Sequence, residues 1–345
     1  MRPATNGLGM VDRFDTWLAG VFDPGSDAVT GLREAGLLEP APDYASIVRT
    51  KAALVERTGR LGLASVWGGA QLVGRHHLGF GTEAQRAEWF GRVLAVAISE
   101  PNVAARPKLL TTRADAVPGG FSISGLKAWV TNGPSADAII VFAITACDAG
   151  RKCYSAFIVP RGSPGLTIAE MPGFHALRPS RHGLLTLEGC KVPESAMLGD
   201  PGSAYGRMAA PFRDIEDAVG TFATLGALRH ATGLFAGDPD KGQAEALGAI
   251  VALTAVFAAG AEAVVASLDA GRWQTGDAAL AGLRVLAIDI MSRLLALQPG
   301  SEAGTQRLAG VLADLEATLS IARGPRLARQ THLGTAALRG VQSPA

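Results

Sequence analysis

GFSISGLKAWVTNG, residues 120–133, is the stretch on which the fold turns. Its β-branched and aromatic residues, broken by glycines, read as a strand. Asn132-Gly133 favours positive φ, and so signals a hairpin turn at its end. The unusual part is Trp129 beside Val130 and Thr131, just ahead of that turn. One explanation is an edge strand carrying a large hydrophobe. The other is a wall, made of an aromatic ring and a hydroxyl, for a flat, polar, hydrogen-bonding ligand.

Working outward, the text stays strand-like from Thr111 to Val192: ADAIIVFAITA, CYSAFIVP, GLTIAEMPG and GLLTLEGCKVP follow in turn. These runs are short and separated by Gly, Pro, Asn and Asp, the pattern of an antiparallel β domain. Before them, residues 1–93 read as helical. SIVRTKAALVERTGRLGLASVWGGAQLV (46–73) has apolar residues at helical spacing. Thr82 is placed as an N-cap, with Gln85 three residues on completing a capping box. After them come four helical blocks, at 204–236, 241–271, 277–298 and 301–325, which imply a bundle. The expected order is a helical domain over 1–93, a β domain over 94–200 and a four-helix bundle over 201–345.

The bulk numbers narrow the function classes. A chain of 345 residues is too long for one small core. With 32 basic and 31 acidic residues the net charge is +1, which supplies no electrostatic footprint for nucleic acid. Three cysteines without a CxxC fit a reducing compartment, and the N-terminus shows no signal-peptide pattern, so a cytoplasmic location is expected. ALGAIVALTAVFAAGAEAVVASL (246–268) is long enough to span a bilayer, but its Ala content, Glu262 and polar flanks favour a bundle helix over a membrane span. No His/Cys/carboxylate set has metal-ligand spacing, so no metal is expected.

Five strings in this order resemble the acyl-CoA dehydrogenase family of flavoproteins: ISEP (98–101), GFSISGLKAWVTNG (120–133), FIVPRGSPGL (157–166), LRPSRHGLLTLEGCKVPESAMLG (177–199) and RDIEDAVGTFATLGALRHA (213–231). The resemblance implies a mainly α fold with a central antiparallel β domain: an N-terminal helical domain, a β-barrel middle domain and a C-terminal four-helix bundle. It also implies FAD as cofactor and an acyl-CoA or related acyl thioester as substrate. The reaction removes two hydrogens across the α–β bond, an α-proton to a carboxylate and a β-hydride to the flavin. An oligomer with a chain of the same fold is implied, either homomeric or heteromeric.

Residue by residue, Trp129, Val130 and Thr131 match the family's flavin wall. Ile98 and Ser99 match positions whose backbone and hydroxyl meet the flavin pyrimidine. Glu216 stands where some members carry the catalytic base, although the Arg that follows there is Asp217 here. An i,i+3 pair with Arg213 explains Glu216 equally well. Arg106, Arg178 and Arg181 are candidates for a substrate phosphate; solvated or turn-forming arginines are the plainer account. Four family features are missing, one of them the R-x-x-F…Q string expected in residues 229–250, where ATGLFAGDPDKGQAEAL stands. Ala104-Ala105-Arg106 replaces the G-S-D turn at the pyrophosphate. The C-terminal Y-E-G loop is absent. The glycine loop has become LQPGSEAGT (297–305). These losses fit a second reading, a catalytically impaired subunit that pairs with a complete homologue and binds FAD weakly or not at all.

Overall fold

A computed structural model describes residues 10–20, 27–236, 241–272, 278–321 and 323–340. The stretch expected to lack a leader begins with residues 1–9, which lie outside the described residues, as do 21–26, 237–240, 273–277, 322 and 341–345. The chain forms two compact units. One comprises residues 12–41 and 65–213, the other residues 1–11, 42–64 and 214–345.

The first unit holds an eight-stranded sheet. Its strands are β1 (Leu94–Ala97), β2 (Arg113–Val117), β3 (Gly120–Thr131), β4 (Ala138–Asp148), β5 (Arg151–Pro160), β6 (Leu166–Glu170), β7 (His182–Pro193) and β8 (Met197–Leu198). The order is β6-β7-β3-β2-β4-β5-β8, with β1 beside β4. The expected antiparallel domain is therefore present with two refinements. β1 runs parallel to β4, and β2 meets β4 in parallel at Arg113–Ile144. Among the described residues no β6–β8 pairing closes the sheet into a barrel.

The expected hairpin at Asn132 does not form, because β2 lies between β3 and β4. Asn132 does adopt a left-handed φ of 61°, but its side chain is buried and donates to Val66 O at 2.8 Å. Pro134 then starts a 3₁₀ turn, so the chain crosses the sheet instead of folding back on itself. Helices α1 (Met10–Gly20), α2 (Ala28–Glu34), α3 (Tyr44–Thr58), α4 (Leu61–His77) and α5 (Glu83–Trp89) precede the strands. The Thr82–Gln85 capping box at α5 is formed as expected. Phe14 packs edge-on against Trp67 at 5.6 Å, and the Trp67 indole donates to Leu37 O at 2.9 Å.

The second unit is helical: α3, most of α6 (Ala210–Gly233), α7 (Ala244–Asp269), α8 (Ala278–Leu295), α9 (Glu302–Ser320) and α10 (Arg323–Leu338). The sequence blocks anticipate α6 to α9. The fifth, α10, lies almost wholly beyond the last of those blocks, which ends at residue 325; Gly324 and Pro325 fall in its first turn, where proline is tolerated. Close contact between α3 and α6 requires Gly226, where an added Cβ would lie 2.4 Å from Ala52 O. The first turn of α3 is fully capped. Asp43 accepts from Ser46 N at 2.6 Å, and Asp269 on α7 accepts from Tyr44 N and Ala45 N at 3.0 and 2.9 Å. By length and composition α7 could cross a membrane, and 33% of its most apolar window is buried in the unit.

Candidate functional site

A buried ion pair organises the sheet unit around the residues singled out in the sequence. Glu100 is 4% exposed and Lys127 is fully buried. The Lys127 ammonium donates to Glu100 Oε1 at 3.2 Å and to Ile98 O at 3.1 Å. The Thr112 hydroxyl and amide donate to Oε1 at 2.6 and 2.9 Å, and those of Thr111 donate to Oε2, both at 2.8 Å. Burial alone would raise the Glu100 carboxyl, but the Thr112 hydroxyl, the Lys127 charge and the two amides outweigh it and hold it at about 2. Burial lowers Lys127 to about 8 against the opposing pull of Glu100. The cluster pins the Ile98-Ser99 segment against β3, where Ala128 N donates to Ser99 O at 2.9 Å.

That contact brings Ser99 next to the bulge that displays Trp129. The β3–β7 register shifts between Lys127 and Val130, and Trp129 sits in the shift with a φ of +62°. A non-glycine residue there is strained, a cost tolerated only where the surroundings enforce it. The bulge turns the side chain outward, and the indole is 49% exposed. Its ring meets Phe174 edge-on at 5.4 Å, and Phe174 in turn meets His182 at 4.9 Å. Val130 is completely buried. Thr131 pairs with His182 across β3 and β7 and is half-buried. Three buried polar atoms near the bulge lack a protein partner: Asn132 Oδ1, Ser180 Oγ and His182 Nδ1. His182 is held neutral to about 4, first by burial and then by Arg178, against the opposing charge of Glu170.

The arginine candidates separate. Arg178 and Arg181 both bind Glu170, at 2.6 and 3.1 Å, so much of their charge is compensated. Arg106 is exposed. It ends the 104–106 turn, where Ala104 has a φ of +51° and exchanges backbone hydrogen bonds with Glu100 at 3.0 and 3.1 Å. The left-handed bend thus survives without glycine. Ala104→Gly removes that steric conflict and is expected to raise stability by about 1 kcal/mol, read as a higher urea midpoint. An unchanged or lower midpoint would refute the strain assigned to this turn.

Glu216 belongs to the helical unit, and the residues above belong to the sheet unit. Its side chain is exposed. It acts electrostatically on Lys51 of α3, which is 7% exposed and lowered to about 8 by burial, with Glu216 opposing. The neighbouring Asp217 binds Arg326 of α10 at 2.5 Å.

Residues 95–190 match the acyl-CoA dehydrogenase middle domain. Over this stretch the chain is similar to the middle domain of acyl-CoA dehydrogenases. The match contains Ile98, Ser99, Arg106, Trp129, Val130, Thr131, Arg178 and Arg181, while Glu216 lies beyond it. A stretch is 36% identical over 128 residues to isovaleryl-CoA dehydrogenase, mitochondrial, of Oryza sativa subsp. japonica. That stretch covers 35% of this chain and 31% of the rice protein, so the similarity spans about a third of the relative's length. Two solved structures share the acyl-CoA dehydrogenase fold over nearly the whole chain. Butyryl-CoA dehydrogenase from Megasphaera elsdenii is 22% identical with a TM-score of 0.75, covering 86% of this chain and 82% of that one. Glutaryl-CoA dehydrogenase from Mycobacterium smegmatis, in complex with FADH2, is 19% identical with a TM-score of 0.77, covering 97% and 95%.

Several residues escaped the sequence reading. Glu100 and Lys127 stand inside the ISEP and GLKAW strings, yet nothing in spacing alone pairs residues so far apart in the chain. Phe174 lies in a loop whose composition signals only a turn. Lys51 reads as one of the polar residues between apolar positions of α3, although it is buried.

Proposed function

We propose that the protein is a flavin-dependent oxidoreductase of the acyl-CoA dehydrogenase type, acting on the CH–CH bond of an acyl thioester. The observation that carries this reading is the indole of Trp129, strained into the left-handed region and half exposed on its bulge beside Ser99. A slab held at such a cost fits the face of a planar ring better than a core position. The orphaned Asn132, Ser180 and His182 atoms provide hydrogen-bonding capacity nearby. In this reading Trp129, Thr131 and the Ile98-Ser99 backbone and hydroxyl hold the isoalloxazine of FAD. The 104–106 turn offers only backbone amides and Arg106 to its phosphates. FAD, when bound, supplies the hydride acceptor.

Glu216 is assigned removal of the substrate α-proton. Arg106 is the exposed cation available to a CoA phosphate, more so than the Glu170-bound Arg178 and Arg181. We also assign the chain to the cytoplasm and to an oligomer with a chain of its own fold. The second reading, an impaired subunit, is favoured by Ala104-Ala105-Arg106 and by the α9–α10 junction without Y-E-G.

The test is the visible spectrum of the purified protein, followed by anaerobic mixing with isovaleryl-CoA or butyryl-CoA. The expected result is bound flavin that bleaches on mixing, and a rate about 10²–10⁴-fold lower in Glu216→Gln, the range for loss of a general base. A protein that stays colourless after FAD is added supports the impaired subunit. Bleaching at an unchanged rate in Glu216→Gln removes that residue from the chemistry.

A further inference from the structure

The helical unit contains a cleft with no role in the proposed reaction. It lies among α6, α7, α8, α9 and α10 and is partly open to solvent; the space it outlines, open solvent included, is about 590 Å³. Phe257, Leu283 and Leu319 give it apolar walls, while Arg284 and Arg326 bring positive charge.

The charges do not cancel. Asp217 is committed to Arg326 at 2.5 Å, and Asp214 is committed to Arg329. Among the described residues, Arg284 has neither an ion pair nor a hydrogen bond. It is half-buried on α8, with the like charges of Arg326 and Arg323 acting on it. Burial, then Arg326, lower its pKa to about 10 in spite of Asp217, a measure of how poorly the site tolerates its charge. A planar guanidinium left over in this way matches a carboxylate through two parallel hydrogen bonds. The apolar walls then require the rest of the ligand to be hydrocarbon, since a small inorganic anion would leave them facing water.

We propose that this cleft binds an aliphatic monocarboxylate, its head group on Arg284 and its chain along Phe257, Leu283 and Leu319. The site is distinct from the flavin wall and lies wholly within the helical unit, so its test does not depend on flavin content. The test is calorimetric titration of the full chain with octanoate, with octylamine and inorganic phosphate as comparison probes.

Saturable octanoate binding is expected, weakened about tenfold or more in Arg284→Gln, the scale of a lost charge-assisted pair. Octylamine and phosphate are expected to bind far more weakly. Equal octanoate affinity in Arg284→Gln, no saturable octanoate binding, or octylamine or phosphate binding as well as octanoate would each overturn the proposal. Helical circular dichroism checks that the variant is folded. Should it not fold, Arg284→Lys keeps the charge and loses the fork, and wild-type affinity in that variant overturns the proposal in the same way.

Discussion

Lys127→Met is expected to destabilise the protein by about 3–5 kcal/mol, the cost of stripping the counter-charge from a buried carboxylate. The four donors from Thr111 and Thr112 remain around Glu100, which places the loss toward the lower end of that range. The double variant Glu100→Gln/Lys127→Met removes both charges and should be less damaged than the single one. Guanidinium or urea unfolding measures both.

The pH dependence gives a second check. Glu100 is held at about 2 against an ordinary 4.5, so its contribution is fully present above 4.5 and is lost as pH falls toward 2; the shift corresponds to about 3 kcal/mol. Lys127 behaves in the opposite sense. Its pKa is lowered to about 8 from 10.5, so the unfolded chain binds more protons between those values and stability rises with pH across that window. Lys51 is lowered to about 8 as well, so Lys127→Met should roughly halve the alkaline rise, not abolish it, and move the acid loss to higher pH. An unshifted acid midpoint, or an alkaline rise of undiminished size in the variant, would show that the pair is not what holds Ile98 and Ser99 in place.

Trp129→Gly separates a ligand wall from a structural tryptophan. A core tryptophan truncated this far costs roughly 3–5 kcal/mol. Trp129 is half exposed and carries a φ that glycine adopts freely, so the flavin-free variant is expected to match or exceed the wild type, with up to about 1 kcal/mol returned by the relieved backbone. Its FAD affinity, in contrast, should fall by about tenfold or more, the scale of a lost aromatic face. Flavin content as purified and quenching of added FAD read the second effect, and urea unfolding of the flavin-free protein reads the first. Full flavin content in the variant, or a stability loss of the core size, would end the wall assignment.

The fold was legible because it is written in local chemistry. The glycine-broken strands of 111–192, the capping box at Thr82 and the apolar blocks after residue 204 each declare their element type within a few residues. Asn132 announced its left-handed backbone but not its connection, since the residue that captures it, Val66, is far away in the chain. The same limit applies to the site. Trp129 was visible as an odd aromatic before a turn. The bulge that turns it outward arises from pairing with β7, which no property of residues 120–133 encodes. Lys127 and Lys51 are long charged side chains that a binary pattern sends to the surface, and their burial follows from partners on other elements. The α10 helix was missed because a proline in a first turn looks like a proline that ends a helix. Glu216 was found by likeness alone, and its neighbour Lys51 came only with the packing of α3 on α6.

The capping of α3 by Asp269 carries a consequence for how the chain is made. The amides of residues 44 and 45 find their acceptor more than two hundred residues later, on the last turn of α7. While the ribosome is still translating the sheet, α3 has emerged with its amphipathic face uncovered and its leading donors exposed to water. It can settle only after the stretch up to residue 269 has cleared the exit tunnel. Completion of the helical unit therefore falls late in biosynthesis, and a fragment begun after the sheet would lack the helix against which the others assemble.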